Sequence, residues 1–227
     1  MGTWQDAVLA GHSRRGDWEA MWDRHQQHKR ALLSTIRTRV GNSLSEDALL
    51  IGFARRAATY KRATLLLRDR SWLQERFEQD GLQLVFAGKA HPHDQYGQAF
   101  IQELVKTSHE YPDNLVFLPN YDMHLGALLT RGTDVWLNNP IRPKEASGTS
   151  GMKAAANGVL NLSIKDGWWA EGCHHRINGW GVDAPPQGMD ADAHDLQALQ
   201  TLIVEDVLPV YRDRSRWLEM MQASIAS

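Results

Sequence analysis

The 227-residue chain has one cysteine, Cys173. No disulfide can form within it, which excludes the disulfide-stapled frameworks of small secreted domains and fits a reducing compartment. Charge excess is also missing: 25 Lys and Arg against 27 Asp and Glu give a formal net charge of −2. Bulk charge therefore offers no attraction for nucleic acid or an anionic membrane. No run approaches the roughly 18 apolar residues of a membrane span. The start carries Asp6 and polar neighbours where a signal sequence would be apolar. These absences together point to the cytoplasm. Two phosphate-binding signatures are lacking as well. No Gly and Lys-Ser/Thr stand at the Walker spacing, and no dinucleotide fingerprint follows any predicted strand. Any phosphate the chain handles must be met by a cluster built in another way.

What remains is an ordinary globular composition, 42% hydrophobic and 23% charged, long enough for one large α/β domain or two small ones. Nine tryptophans are many for this length. Large aromatics gather where domains meet or where sugars stack, so an interface is one reading of them.

Periodicity predicts a helix over residues 17–40, where Trp18, Met21, Trp22, His25, Leu32, Leu33, Ile36 and Val40 recur at helical spacing. Five short apolar runs follow, each the length of a buried strand: residues 49–54, 82–88, 115–118, 135–137 and 159–164. Helical patterns lie between them, including one from Arg55–Arg62 into Leu65–Leu67, one from Gln95 to Lys106 and a short one over Met152–Ala156. Residues 165–188 are expected to form a loop, and the rest a helix broken at Pro209. Strand–helix alternation at this spacing predicts an α/β fold with a doubly wound parallel sheet. Residues 46–190 would form the sheet domain, with a helical lead-in over 1–45 and a helical segment over 191–227.

In such sheets ligands sit beyond the carboxyl ends of the strands. Arg55, Arg56 and Lys61 follow the first strand, Lys89 and His91 the second, and Tyr121 and Asp122 the third. The stretch Glu145-Ala146-Ser147-Gly148-Thr149-Ser150-Gly151-Met152-Lys153 follows the fourth, and Asp166, Trp168 and Glu171 the fifth. All five ends are expected to deliver polar side chains to one edge. Arg55, Arg56, Lys61 and the Gly148–Gly151 loop supply cations and backbone donors suited to phosphate groups, although a solvated helix face would look the same. Lys153 could form a Schiff base with a carbonyl cofactor whose phosphate would fall at the adjacent helix start. Cys173-His174-His175 has no matching ligand pair at finger-like spacing, so no metal site is expected.

Five stretches carry a resemblance. Glu145–Lys153 followed by Asn157-Gly158 resembles the pyridoxal-phosphate lysine signature of the α-glucan (glycogen, starch, maltodextrin) phosphorylases. Gly52–Arg62, Phe86–Pro92, Asp134–Pro140 and Asp166–Gly172 agree with the same family in the same order, most closely with its short bacterial type. The resemblance implies a Rossmann-like fold, the C-terminal domain of a two-domain GT-B glycosyltransferase, in a chain that would be only a fragment. Lys153 would anchor pyridoxal 5′-phosphate, with Thr149, Ser150 and Arg55 on its phosphate and Tyr121 close by. Arg56 and Lys61 would clamp inorganic phosphate or the phosphate of glucose 1-phosphate, while Glu145, Ser147 and Gly148 would bind the transferred glucose. The implied reaction is reversible phosphorolysis of a terminal α-1,4 glucosyl bond. The substrates would be α-1,4-glucan and phosphate, and the missing N-terminal domain would complete the site. Relative to the long animal and plant type, Gly151 replaces Asn, Arg55 replaces Lys and Asp122 replaces Arg.

Two other functions stay open from sequence: a nucleotide-sugar glycosyltransferase of the glycogen synthase kind, and a non-catalytic carbohydrate-binding module. A tryptophan-rich face left uncovered by a missing domain would favour self-association.

Overall fold

A computed structural model describes residues 15–56, 58–90 and 93–227, apart from the side chains of residues 15–17 and Arg56. His91 therefore lies outside the described residues, as does Trp4. The chain opens with α1 (Arg15–Val40), then β1 (Leu50–Arg56), two 3-10 turns (Thr59–Lys61 and Leu66–Arg68) and α2 (Arg70–Asp80). Next come β2 (Gln83–Lys89), α3 (Gln95–Glu110), β3 (Leu115–Leu118), α4 (Met123–Gly132) and β4 (Val135–Asn138). The remainder is α5 (Thr149–Ala155), β5 (Leu160–Ile164), α6 (Trp168–Gly172), β6 (Gly179–Val182), α7 (Ala191–Leu202), a π turn (Ile203–Val207), α8 (Leu208–Arg212) and α9 (Arg214–Ala226).

The six strands form one parallel sheet in the order β3-β2-β1-β4-β5-β6. This is the doubly wound arrangement, and strand order reverses between β1 and β4, where such sheets open a crevice. Alternate strand residues serve opposite faces. Ile51, Phe53, Leu84 and Phe86 pack with Leu73 and Phe77 of α2, Leu199 of α7 and Trp217 of α9. Leu50, Ala54, Val85 and Ala87 pack on the other side with Leu32 and Ile36 of α1 and Leu125 and Leu129 of α4. Among the described residues no helix is long and apolar enough to cross a membrane.

A buried polar knot fixes α1 to the sheet. The Asp134 carboxylate, at the foot of β4, accepts from Lys29 Nζ at 2.7 Å and pairs with His25 Nε2 at 2.8 Å. It also accepts from the Leu50 backbone N–H at 2.8 Å. Burial alone would raise the Asp134 carboxyl, but Lys29 and His25 reverse that and hold it below the ordinary carboxylate range.

The structure departs from the sequence expectations in four places. The stretch after β1 forms two single 3-10 turns in place of one continuous helix: Arg62 adopts φ 46°, a left-handed conformation that ends the first turn, and Asp69 then caps α2. Residues 165–188 contain α6 and β6; two of the four β6 residues are glycine, which hides a strand from propensity and period. The helix does not break at Pro209. The preceding π turn loosens the bonding where proline lacks an N–H, and the break comes at Asp213, which caps α9. None of the eight described tryptophans is exposed: Trp136, Trp169, Trp180 and Trp217 are fully buried in the core, and the other four are half-buried.

Candidate active site

The reversal between β1 and β4 opens a cleft of about 660 Å³. Its walls are the end of β1 and the turn after it (Ala54, Arg55, Tyr60, Lys61), the start of α4 with Tyr121, and the loop after β4 running through Glu145 to Lys153 on α5. Nine of the ten predicted site residues line it: Arg55, Lys61, Tyr121, Glu145, Ser147, Gly148, Thr149, Ser150 and Lys153. The side chain of the tenth, Arg56, lies outside the described residues, although its backbone ends β1.

At the centre is a charge cluster. Arg55 Nη1 donates to Glu145 Oε2 at 2.8 Å, and Lys61 Nζ donates to the same oxygen. Arg55 Nη2 reaches Ser150 Oγ at 3.0 Å, so one guanidinium joins the carboxylate to the first turn of α5. Burial alone would raise the Glu145 carboxyl; Lys61 and Arg55 more than reverse this, keeping it ionised well into acid. Burial pushes the Tyr121 phenol above its ordinary value against the pull of Arg55, and Asp122 adds to the rise, so Tyr121 is a neutral hydroxyl at pH 7.

Small residues let the loop fold this tightly. Gly148 takes φ +86° at the start of α5, and a Cβ there would lie 3.1 Å from the Trp168 ring. A Cβ on Gly151 would lie 2.8 Å from both Asn161 Oδ1 and Trp168 Nε1. The segment after β5 braces the loop from behind, because Asp166 Oδ2 accepts from the Glu145 N–H at 2.9 Å and the Trp168 N–H reaches Ser147 O at 2.8 Å. Lys153 is exposed on the cleft wall, and its ammonium has no hydrogen bond or ion pair among the described residues.

Not every strand end contributes. Lys89 and Glu171 do not line the cleft, and Asp166 and Trp168 act from behind the loop. Asp122 does line it, and also caps α4 by accepting from the Leu125 N–H at 2.7 Å. Sequence reasoning missed Thr130, Arg131 and Lys144, which line the rim. Only the helical spacing of α4, one turn beyond Gly126-Ala127, could have pointed to Thr130 and Arg131. Cys173 stands apart from the cleft, its thiol pushed up to about 11 by burial, and among the described residues no group of metal-ligating side chains is assembled.

Residues 9–172 match the family model for carbohydrate phosphorylase. The chain belongs to that family. It is 41% identical to a maltodextrin phosphorylase of Thermococcus litoralis, over 92% of this chain and 27% of the relative. It is 43% identical to a glycogen phosphorylase of Mycobacterium bovis, over 82% of this chain and 23% of the relative. A glycogen phosphorylase of Aquifex aeolicus is 36% identical over 92% of this chain and 34% of its own length. The chain thus spans between about a quarter and a third of these family members. The family match covers β1 through α6 and with them every wall of the cleft.

Proposed function

We propose that this cleft is the cofactor and phosphate side of an α-1,4-glucan phosphorylase active site, working with pyridoxal phosphate. The longer protein would carry out reversible phosphorolysis of a terminal glucosyl bond to give glucose 1-phosphate. The observation that carries the reading is the convergence of Lys153, Arg55–Ser150 and Lys61–Glu145 on one cleft, where the β1 and β4 loops meet. A lysine without a partner among the described residues stands one helical turn from a small-residue loop, and two cations share one carboxylate beside it.

The residues fit the cofactor. Lys153 would hold its aldehyde carbon, and Thr149, Ser150, Arg55 and the loop N–H groups its phosphate, with Tyr121 beside the ring. The Gly148 and Gly151 positions, where a Cβ would press on Trp168, let the loop that forms this cradle sit directly on its support. When bound, the cofactor would supply a phosphate that exchanges a proton with the substrate phosphate. The chain's own residues would do the remaining work. Lys61, with Arg56, would fix the substrate phosphate on the face of the sugar being attacked. Glu145, Ser147 and Gly148 would orient glucose hydroxyls. The positive wall would stabilise the phosphate that stands next to an oxocarbenium-like carbon. The glucan side of the cleft and the partner domain would come from the remainder of the longer protein, and a cytoplasmic setting follows from the same reading.

The test is to mix the chain with pyridoxal phosphate and record the absorbance band of a lysine adduct, alongside Lys153→Ala. A band in the parent that vanishes in the variant is expected. A parent without a band, or a band that persists in Lys153→Ala, would overturn the cofactor role.

A further inference from the structure

Outside the cleft, one buried carboxylate holds two arginines from the two loops that carry the charge cluster. Asp195 lies on α7 and is 1% exposed. Its Oδ2 accepts from Arg62 Nη2 at 2.6 Å, and both its oxygens accept from Arg142 Nη1, at 3.0 and 3.1 Å. Arg62 follows Lys61 directly, and Arg142 stands three residues before Glu145.

All three nitrogens of the Arg62 guanidinium are engaged. Nε donates to Asn139 O at 2.9 Å, Nη2 to Pro140 O at 2.8 Å, and Nη1 to Asp192 Oδ1 at 2.8 Å. In return Asn139 Nδ2 donates to Arg62 O at 3.1 Å, and the Ile141 N–H to Tyr60 O at 2.7 Å. The turn after β1 and the loop after β4 are thereby stitched together just below the point where Lys61 meets Glu145. Arg142 extends the stitch to β6 through Val182 O at 2.9 Å and Asp183 O at 2.7 Å. Arg62 also holds a left-handed backbone, costly for a side-chain-bearing residue. Such a conformation persists where surrounding contacts over-determine it, and the bonds above are those contacts.

We propose that Asp195 is a positioning residue for the Lys61–Glu145 pair. By neutralising and clamping Arg62 and Arg142, it sets the separation of the two loops and so the place where a phosphate meets Lys61. The role rests on reading the cleft as a phosphate site. Asp195 itself does not line the cleft. Asp192 is a weaker second anchor, since it is one-third exposed and shares its charge with Arg68. Without Asp195, the buried Arg62 and the partly exposed Arg142 lose the carboxylate they share, the loops separate, and the pair opens.

The experiment uses the whole chain and compares Asp195→Asn, Asp195→Glu and Arg142→Lys. Carboxyl-carbon NMR follows the titration of Glu145, circular dichroism reports the fold, and calorimetry measures affinity for inorganic phosphate. In folded Asp195→Asn the Glu145 midpoint should move up toward the ordinary carboxylate value, and phosphate affinity should fall roughly tenfold, as displacement of a binding group does. Asp195→Glu should restore part of both. A folded Asp195→Asn with an unmoved Glu145 midpoint overturns the proposal, since general destabilisation would not hold that titration in place. Should Asp195→Asn fail to fold, Arg142→Lys is judged by the same midpoint: a rise supports the proposal, no change overturns it. A parent chain that binds no phosphate, with the Glu145 midpoint still moved by Asp195→Asn, would refute the functional reading and leave the positioning role standing.

Discussion

Lys61 and Glu145, 84 residues apart in sequence, meet on a single carboxylate oxygen that Arg55 also uses. Two cations on one anion leave the wall with positive charge to spare, which is the electrostatic condition for receiving a second anion.

Neutralising that anion should separate stability from binding. In Glu145→Gln, Arg55 and Lys61 lose their shared partner, and because Arg55 and Glu145 are both under 10% exposed the loss should cost about 3 kcal/mol of folding stability. The same change frees both cations, so inorganic phosphate should bind the variant more tightly than the parent. Urea unfolding and calorimetry read the two effects. A variant that is destabilised yet binds phosphate no better would mean the two cations do not face the ligand.

Acid should unfold the chain through its paired carboxylates. Asp134 and Glu145 both have folded values lowered from the ordinary range. Their contribution is complete above the unfolded carboxylate value of about 4 and is lost as pH falls through the lower folded values. Melting temperature should therefore hold down to about pH 5 and then drop steeply on acidification. In Asp134→Asn, where Lys29 is left buried without its counter-ion, stability at neutral pH should be lower and the remaining acid dependence shallower. An unchanged acid profile in that variant would remove Asp134 from the explanation.

The loop cradle should tolerate no added volume. Gly151→Ala places a methyl group 2.8 Å from Asn161 Oδ1 and Trp168 Nε1. The expected cost is about 1–3 kcal/mol in thermal or urea unfolding. The shift of α5 that relieves the clash should also weaken pyridoxal phosphate adduct formation at Lys153. Stability equal to the parent would show that Trp168 moves aside freely.

Much of this architecture can be read from the residues. The five apolar runs and the helical spacing between them predict the parallel sheet, and carboxyl-end placement brings Arg55, Tyr121, Glu145 and Lys153 to one edge. What sequence could not reveal is long-range or anti-propensity. Gly179 and Gly181 weaken the signal of β6. The left-handed turn at Arg62 runs against local helical preference and is held by Asn139, Pro140 and Asp195 from far along the chain. Asp166 reads as one more residue facing the cleft, whereas it props the Glu145 loop from behind through a bond between side chain and backbone. Such supports have no period and no motif, because their partners are set by packing between elements.

Strand β4 is only four residues long, yet the chain just before it meets α1 through Asp134, and the chain just after it meets α7 through Arg62 and Arg142. A strand moored on both sides cannot drift along its neighbours. The groups at its end are therefore already arranged before any ligand arrives, and little conformational entropy remains to be lost when one does. For this wall of the cleft, tight binding would depend on matching charge and shape, with no folding step left to complete.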